Sequence, residues 1–347
     1  VSLGPTILNL AVFNFYQNSA WKGGGFKGAE NPSSLFADRR KSSSPTSVIT
    51  NNEPFQKVTR VPNGNFEFVR NVLDSEWERL RSVEGACGQI YACSKTVAKV
   101  QKITSATLAE VKFLRSLYHL NLMNFYQINV FPENIIITMP KMDGDLFGLA
   151  TSKEFDIEKV HYTFFQVASA VQCMHDNEFV HRDIKPENVF FRNEIVNGEN
   201  SYFVRLGDFG TVARLDDKRE LLVSCGTREY MSPNGLLRRQ YKSKPDQDLE
   251  PTVRKKDVNP FSMQDDVLSM MYLLSFIVFK RVPNTNEEHD LQEDDRISNG
   301  GMGFNVSKHD SELINQYWNF LNLGLTPTEA GYKYPNVETV MKDFNEL

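Results

Sequence analysis

Ten consecutive residues, Val180-His181-Arg182-Asp183-Ile184-Lys185-Pro186-Glu187-Asn188-Val189, followed after an insert by Asp208-Phe209-Gly210, constrain this chain more than any other feature. Asn188 and Asp208 bring hard oxygen donors of the kind Mg²⁺ takes. Asp183 brings a base for a hydroxyl proton. Lys185 brings positive charge to a group in transfer. Together these are the parts that phosphoryl transfer from ATP requires, and chance does not supply all of them at this spacing.

The rest of the chain bounds the answer. Its 347 residues can bury a full core, and 40% hydrophobic with 24% charged residues is an ordinary globular balance. The 39 Lys plus Arg against 44 Asp plus Glu give a formal charge of −5, which removes any compositional case for a sequence-independent nucleic-acid binder. Cys87, Cys93, Cys173 and Cys225 form no C-x-x-C pair, zinc spacing or disulfide framework, so a reduced setting, cytoplasmic or nuclear, is expected. The longest apolar stretch, Val267 to Val278, is too short to span a membrane and is expected to be a buried helix.

Residues 1–66 are expected to be a flexible, low-complexity extension, because the Gly-, Ser-, Asn- and Pro-rich stretch from 18 to 66 cannot bury enough apolar surface to offset its ordering entropy. After about Phe68 short strand-like pieces alternate with turns. From about Leu146 helical periods take over, with Phe164, Val167, Ala168, Val171 and Met174 as one core stripe. That order predicts an α+β domain over 67–347, a small sheet-rich lobe followed by a larger helical one. Three polar stretches, Asn193–Ser201, which carries the hairpin turn signal Asn197-Gly198, 242–260 and 283–310, are expected to be surface loops.

With these residues in view, the chain resembles the eukaryotic protein kinases, from roughly Phe68 to its C-terminus. The resemblance implies the two-lobed kinase fold: an N-lobe of about 67–141 with one regulatory helix, a C-lobe of about 142–347, and ATP between them. Lys99, in Thr96-Val97-Ala98-Lys99-Val100, matches the strand lysine on the ATP phosphates. Lys102 competes, but on a strand its opposite parity points it to the other face. Glu110 matches the helix glutamate that pairs with that lysine. Ser82-Val83-Glu84-Gly85-Ala86-Cys87-Gly88-Gln89-Ile90 is similar to the glycine-rich hairpin over the phosphates, where backbone amides approach without a Cβ in the way. Ser82, Val83, Gly85, Gly88, Ile90 and Val97 would then line the nucleotide. Val83 stands where the family usually has its first glycine. Met139, Lys141 and Met142 resemble the hinge that takes adenine.

Cys225-Gly226-Thr227 with Ser232-Pro233 resembles the end of an activation segment, in which the threonine hydroxyl lies near the catalytic Asp and Lys. Asp183, Lys185 and Thr227 are thus the implied catalytic set, and Asn188 and Asp208 the metal set, with Mg²⁺ or Mn²⁺ and ATP as cofactors and a protein Ser/Thr hydroxyl as acceptor. The resemblance implies that Arg182, beside the catalytic Asp, would pair with any phosphate on the loop, but of the phosphorylatable Thr211, Ser224 and Thr227 none sits at an obvious activating position. Asn234 replaces the glutamate usual after Ser-Pro, and the region from Leu323 to Tyr334 offers no arginine to pair with one. These departures, with Gln264-Asp265-Asp266-Val267-Leu268-Ser269, are similar to the casein kinase one and tau-tubulin kinase group. Asp266 is matched to the helix aspartate that holds the catalytic loop, and Asp265 reads as a helix-start acid. Two other classes are weighed. Val83 and the long inserts motivate a pseudokinase serving as a nucleotide-binding or scaffolding module, against which the retained Lys99, Glu110, Asp183, Asn188 and Asp208 argue; a small-molecule kinase is disfavoured by Gly226-Thr227 and Lys185-Pro186-Glu187-Asn188.

Overall fold

The computed structural model describes residues 49–50, 78–79, 88–131, 133–196, 199–243, 259–281 and 308–347. All of them belong to the compact unit spanning 48–347. Ser82, Val83 and Gly85, most of the extension and most of the second and third polar stretches lie outside the described residues.

The small lobe is an antiparallel sheet of β1 (Ile49–Thr50), β2 (Glu78–Arg79), β3 (Gln89–Cys93), β4 (Thr96–Lys102), β5 (Gln127–Val130) and β6 (Asn134–Pro140), in the order β1-β5-β6-β4-β3-β2. Ile49 and Thr50, inside the stretch that composition assigns to the extension, form its edge strand on β5. In register, Lys99 faces Ile137 and Ile137 faces Ile128. These side chains share one face, as the alternation of strands requires. Against that face packs α1 (Ser105–Ser116), whose Val111 joins Ile128, Ile135 and Ile137 in one cluster. Thr104 starts the helix with a reciprocal cap: its hydroxyl accepts from the Thr107 amide at 3.2 Å, and its own amide donates to the Thr107 hydroxyl at 2.8 Å. At Gly88, with φ of 116°, a Cβ would stand 2.5 Å from the Val100 carbonyl oxygen, so only glycine lets this strand entrance lie so close to β4.

The large lobe begins at β7 (Gly144–Asp145) and α2 (Leu146–Thr151) and is built on α3 (Glu158–Asp176) and α5 (Met263–Phe279), with α4 (Pro233–Ser243), α6 (Lys308–Leu325) and α7 (Val337–Phe344) around them. The predicted stripe from Phe164 to Met174 is completely buried, and α5 is apolar on nearly every side because it runs through the core. The first polar stretch is not the expected loop. Residues on both sides of Asn197-Gly198 form β9 (Val189–Val196) and β10 (Glu199–Leu206), paired through eight residues on each strand. A solvated antiparallel hairpin satisfies its backbone internally and needs no apolar outer face. Among the described residues, no helix is long and apolar enough to cross a membrane.

His161 on α3 stacks on Phe344 of α7 at 4.4 Å. Burial depresses both His161 and His119 to a pKa of about 4. An unfolded chain protonates its histidines near the ordinary value of about 6.5. Between those limits the unfolded state binds more protons, so stability falls as pH drops through the window. Thermal unfolding followed from pH 7 to pH 4 is expected to show that decline. His161→Phe, which keeps the stack and removes one of the two titrations, is expected to make the decline shallower while His119 keeps its share, and an unchanged slope would refute the assignment.

Candidate active site

Two clusters of charge meet where the lobes join. In the first, Lys99 is 6% and Glu110 2% exposed, and Lys99 Nζ lies 2.9 and 3.2 Å from the two Glu110 carboxylate oxygens and 3.0 Å from Asp208 Oδ1. Gln101, on the same face of β4 as Lys99, donates to Glu110 Oε2 at 2.8 Å. Lys102, with the opposite parity, is exposed. Burial works against the Lys99 ammonium, but the Glu110 and Asp208 carboxylates outweigh it and hold its pKa above the ordinary lysine value. Burial likewise pushes the Asp208 carboxyl up, and the charge and hydrogen bond of Lys99 bring it below the usual carboxylate range. Both groups are therefore ionised at neutral pH.

The second cluster is built on the loop between β8 (Phe179–Val180) and β9. Asp266, fully buried on α5, accepts the His181 amide at 2.7 Å, the Arg182 amide at 2.9 Å and His175 Nε2 at 3.1 Å. Two of its donors are backbone groups that would otherwise be buried without partners. This anchorage helps hold Arg182 in the left-handed region, at φ of 70°, a conformation costing about 1–3 kcal/mol for a non-glycine residue. His181 Nε2 donates to the Gly207 carbonyl at 3.1 Å, tying the loop to the segment that carries Asp208.

From this frame Asp183 projects with its carboxylate fixed on both sides. The Thr227 amide donates to Oδ1 at 2.8 Å, Asn188 Nδ2 donates to Oδ2 at 3.2 Å, and Lys185 Nζ lies 3.5 Å from Oδ2. Lys185 also donates to the Thr227 hydroxyl at 2.7 Å. The Asn188 amide nitrogen additionally reaches the Asp183 carbonyl at 2.8 Å, which commits its donor side to the loop and leaves Oδ1 as a hard acceptor. Asp208, 30% exposed at its side chain, has one oxygen on Lys99 and a second for another partner. An aspartate and an asparagine oxygen suit Mg²⁺, which keeps few protein ligands and takes the rest from phosphate and water. Among the described residues no group of three or more His, Cys, Asp or Glu is placed to hold a metal by itself.

Phe209, buried beside Asp208, packs on Phe113 of α1 at 4.5 Å and on His181 at 5.7 Å. The helix carrying Glu110 and the loop carrying Asp183 thus share one aromatic contact. Gly226 closes the site with φ of 97°; a Cβ there would run into the Arg182 carbonyl oxygen. Met139 and Met142 pack part-buried against the large-lobe core, and Lys141 is exposed, its amide bonded to the Lys95 carbonyl at 2.9 Å. Ile90 pairs with Lys99 across the sheet, and Val97 with Met139.

Arg182 departs from its expected partner. Its guanidinium donates to the Glu220 carbonyl and carboxylate, each at 2.6 Å, and to the Thr211 carbonyl. A carboxylate of the activation segment thus occupies the arginine that a loop phosphate would otherwise pair with. Gln101, Glu220 and Arg238 escaped the sequence reading, and Ser232 entered it only as part of the segment end. Only Gln101 left a signal there, its parity with Lys99.

Residues 80–247 match the protein kinase domain family. The chain is similar to the carbon catabolite-derepressing protein kinase of Secale cereale, 33% identical over 137 residues that cover 38% of this chain and 26% of that protein. It is similar to the serine/threonine-protein kinase Nek5 of Mus musculus, 32% identical with 47% and 27% covered. With the calcium/calmodulin-dependent protein kinase type 1 of Caenorhabditis briggsae, identity is 30% and coverage 44% and 43%. The chain spans from about a quarter to under half of the length of these relatives. Motif, two-lobed architecture and similarity agree: the chain carries a protein kinase domain of the eukaryotic protein kinase superfamily.

Proposed function

We propose that this protein is an active serine/threonine protein kinase, transferring the γ-phosphoryl group of ATP to a Ser or Thr hydroxyl of a protein. One observation carries the reading: Asp183, Lys185 and Thr227 are joined to one another by contacts of 2.7–3.5 Å, so a base, a cation and an acceptor wall face one point. Asp183 Oδ2 orients the acceptor hydroxyl and takes its proton as the oxygen bonds to the γ-phosphorus and the bond from that phosphorus to the β-phosphate oxygen breaks. Lys185 sets positive charge beside the group in transit. Lys99, steered by Glu110, steadies the nucleotide phosphates; Asp208 and Asn188 would hold the divalent ion. The chemistry such an ion would supply there is neutralisation of phosphate charge during transfer. The pairing of Lys185 with the Thr227 hydroxyl favours Ser/Thr acceptors.

The test is transfer of labelled γ-phosphate to a generic protein with Mg²⁺, followed by phosphoamino-acid analysis. Phosphoserine or phosphothreonine, lost on chelation, is the expected product. Phosphotyrosine alone would overturn the acceptor class, and nucleotide binding without transfer would leave a binding module.

Because Glu220 already occupies Arg182, activity is expected to survive phosphatase treatment unchanged. Glu220→Ala is expected to slow transfer about tenfold, equivalent to one charge-assisted hydrogen bond of about 1.5 kcal/mol. Loss of activity on dephosphorylation would refute this.

A further inference from the structure

Asp265 does more than start a helix. It is 3% exposed, and its carboxylate takes four donors. The Ser262 amide and hydroxyl reach Oδ2 at 2.8 and 3.0 Å, which caps α5. The Ser232 hydroxyl and Arg238 Nη2, the latter at 3.4 Å, reach Oδ1. Ser232 in turn accepts the Gly235 amide at 3.0 Å and so caps α4. Arg238, 3% exposed on α4, also donates to the Asn259 carbonyl at 2.9 Å and lies 4.9 Å from the Phe261 ring. One carboxylate thus fastens the starts of two helices. The segment it fastens is the one that ends the Gly226–Ser232 wall, whose Thr227 amide bonds to Asp183.

We propose that Asp265 is a positioning residue for the protein acceptor: through Ser232 and Arg238 it fixes the Gly226–Ser232 wall on α5, while its neighbour Asp266 fixes the catalytic loop. Two adjacent buried acids on one helix thereby set the two sides of the transfer site. A buried polar network in which every member is satisfied specifies one arrangement, and removing a member frees the elements it joined. Asn234, next to this corner, brings no charge to it. The acceptor role rests on the kinase reading above.

The test compares Asp265→Asn, the milder Ser232→Ala and Asp266→Asn in the full chain, by steady-state kinetics and by amide hydrogen exchange without nucleotide. Asp265→Asn is expected to raise the KM for a protein acceptor about tenfold or more, with the KM for ATP unchanged. Ser232→Ala should move the same constant in the same direction, less far. In exchange, Asp265→Asn should free amides of residues 226–243 and leave those of His181 and Arg182 protected; Asp266→Asn should do the reverse. A merely structural role would loosen all of these amides together and move both KM values. Failure of the kinase reading appears as a wild-type chain with no transfer, and the exchange arm then still decides whether Asp265 holds the wall. Wild-type transfer with an unaltered acceptor KM in both Asp265→Asn and Ser232→Ala, or exchange at 226–243 unaffected by Asp265→Asn, would overturn the inference.

Discussion

Asp183→Asn is expected to lower phosphoryl transfer by about 10²- to 10⁴-fold, the usual share of a positioned general base. Nucleotide affinity should stay as it was, because Lys99, Glu110 and Asp208 are untouched. The loss has two sources. An amide does not take the hydroxyl proton. Moreover, one edge of the new amide is a donor. It can accept from the Thr227 amide at Oδ1, as the carboxylate does at 2.8 Å, only by turning its NH₂ toward Asn188 Nδ2 and Lys185 Nζ, which stand 3.2 and 3.5 Å from the present Oδ2 and are donors themselves. Initial rates against ATP concentration separate the two parameters, and a variant transferring at the wild-type rate would remove Asp183 from the mechanism.

Lys99→Met should cost both activity and stability. Glu110 would remain 2% exposed with Gln101 as its remaining hydrogen-bond donor on the sheet, an uncompensated buried charge worth about 3–5 kcal/mol. Lys99→Met with Glu110→Leu is expected to regain much of that stability, since exchanging a whole buried ion pair for apolar groups is often neutral. It should regain none of the activity, because Lys99 no longer steadies the nucleotide phosphates. Chemical denaturation and transfer assays on the single and double variants check this. Equal stability of the two would show that the buried pair is not coupled as its 2.9 Å geometry implies.

The residues that meet in the cleft were readable because each belongs to a short run whose spacing its element preserves. Lys99 was separable from Lys102 by its motif and by strand parity, and Asp266 from Asp265 by resemblance to the family's helix aspartate, which its bonds to the His181 and Arg182 amides bear out. The β9–β10 hairpin was hidden by its polar outer residues, although Asn197-Gly198 marked its turn. Its rungs carry Arg192 and Arg205 on either side of Phe203, at 5.4 and 5.2 Å, a pattern that alternation of apolar residues does not reveal. Glu220 and Arg238 were illegible for another reason. Glu220 is 38 residues from Arg182 and Arg238 is 27 from Asp265, and neither pairing follows from any local period. Such pairings are set by tertiary placement and not by local sequence.

The central claim, that Lys99, Asp208 and Asn188 hold a nucleotide and its ion while Asp183 faces the group in transfer, is tested most directly by a crystal structure with Mg²⁺ and a non-hydrolysable ATP analogue. The account predicts oxygens of Asp208 and Asn188 at about 2.0–2.1 Å from the ion, Lys99 on the phosphates, and Asp183 facing the terminal phosphorus. A cleft that admits no nucleotide, or an ion held by other groups, would contradict it.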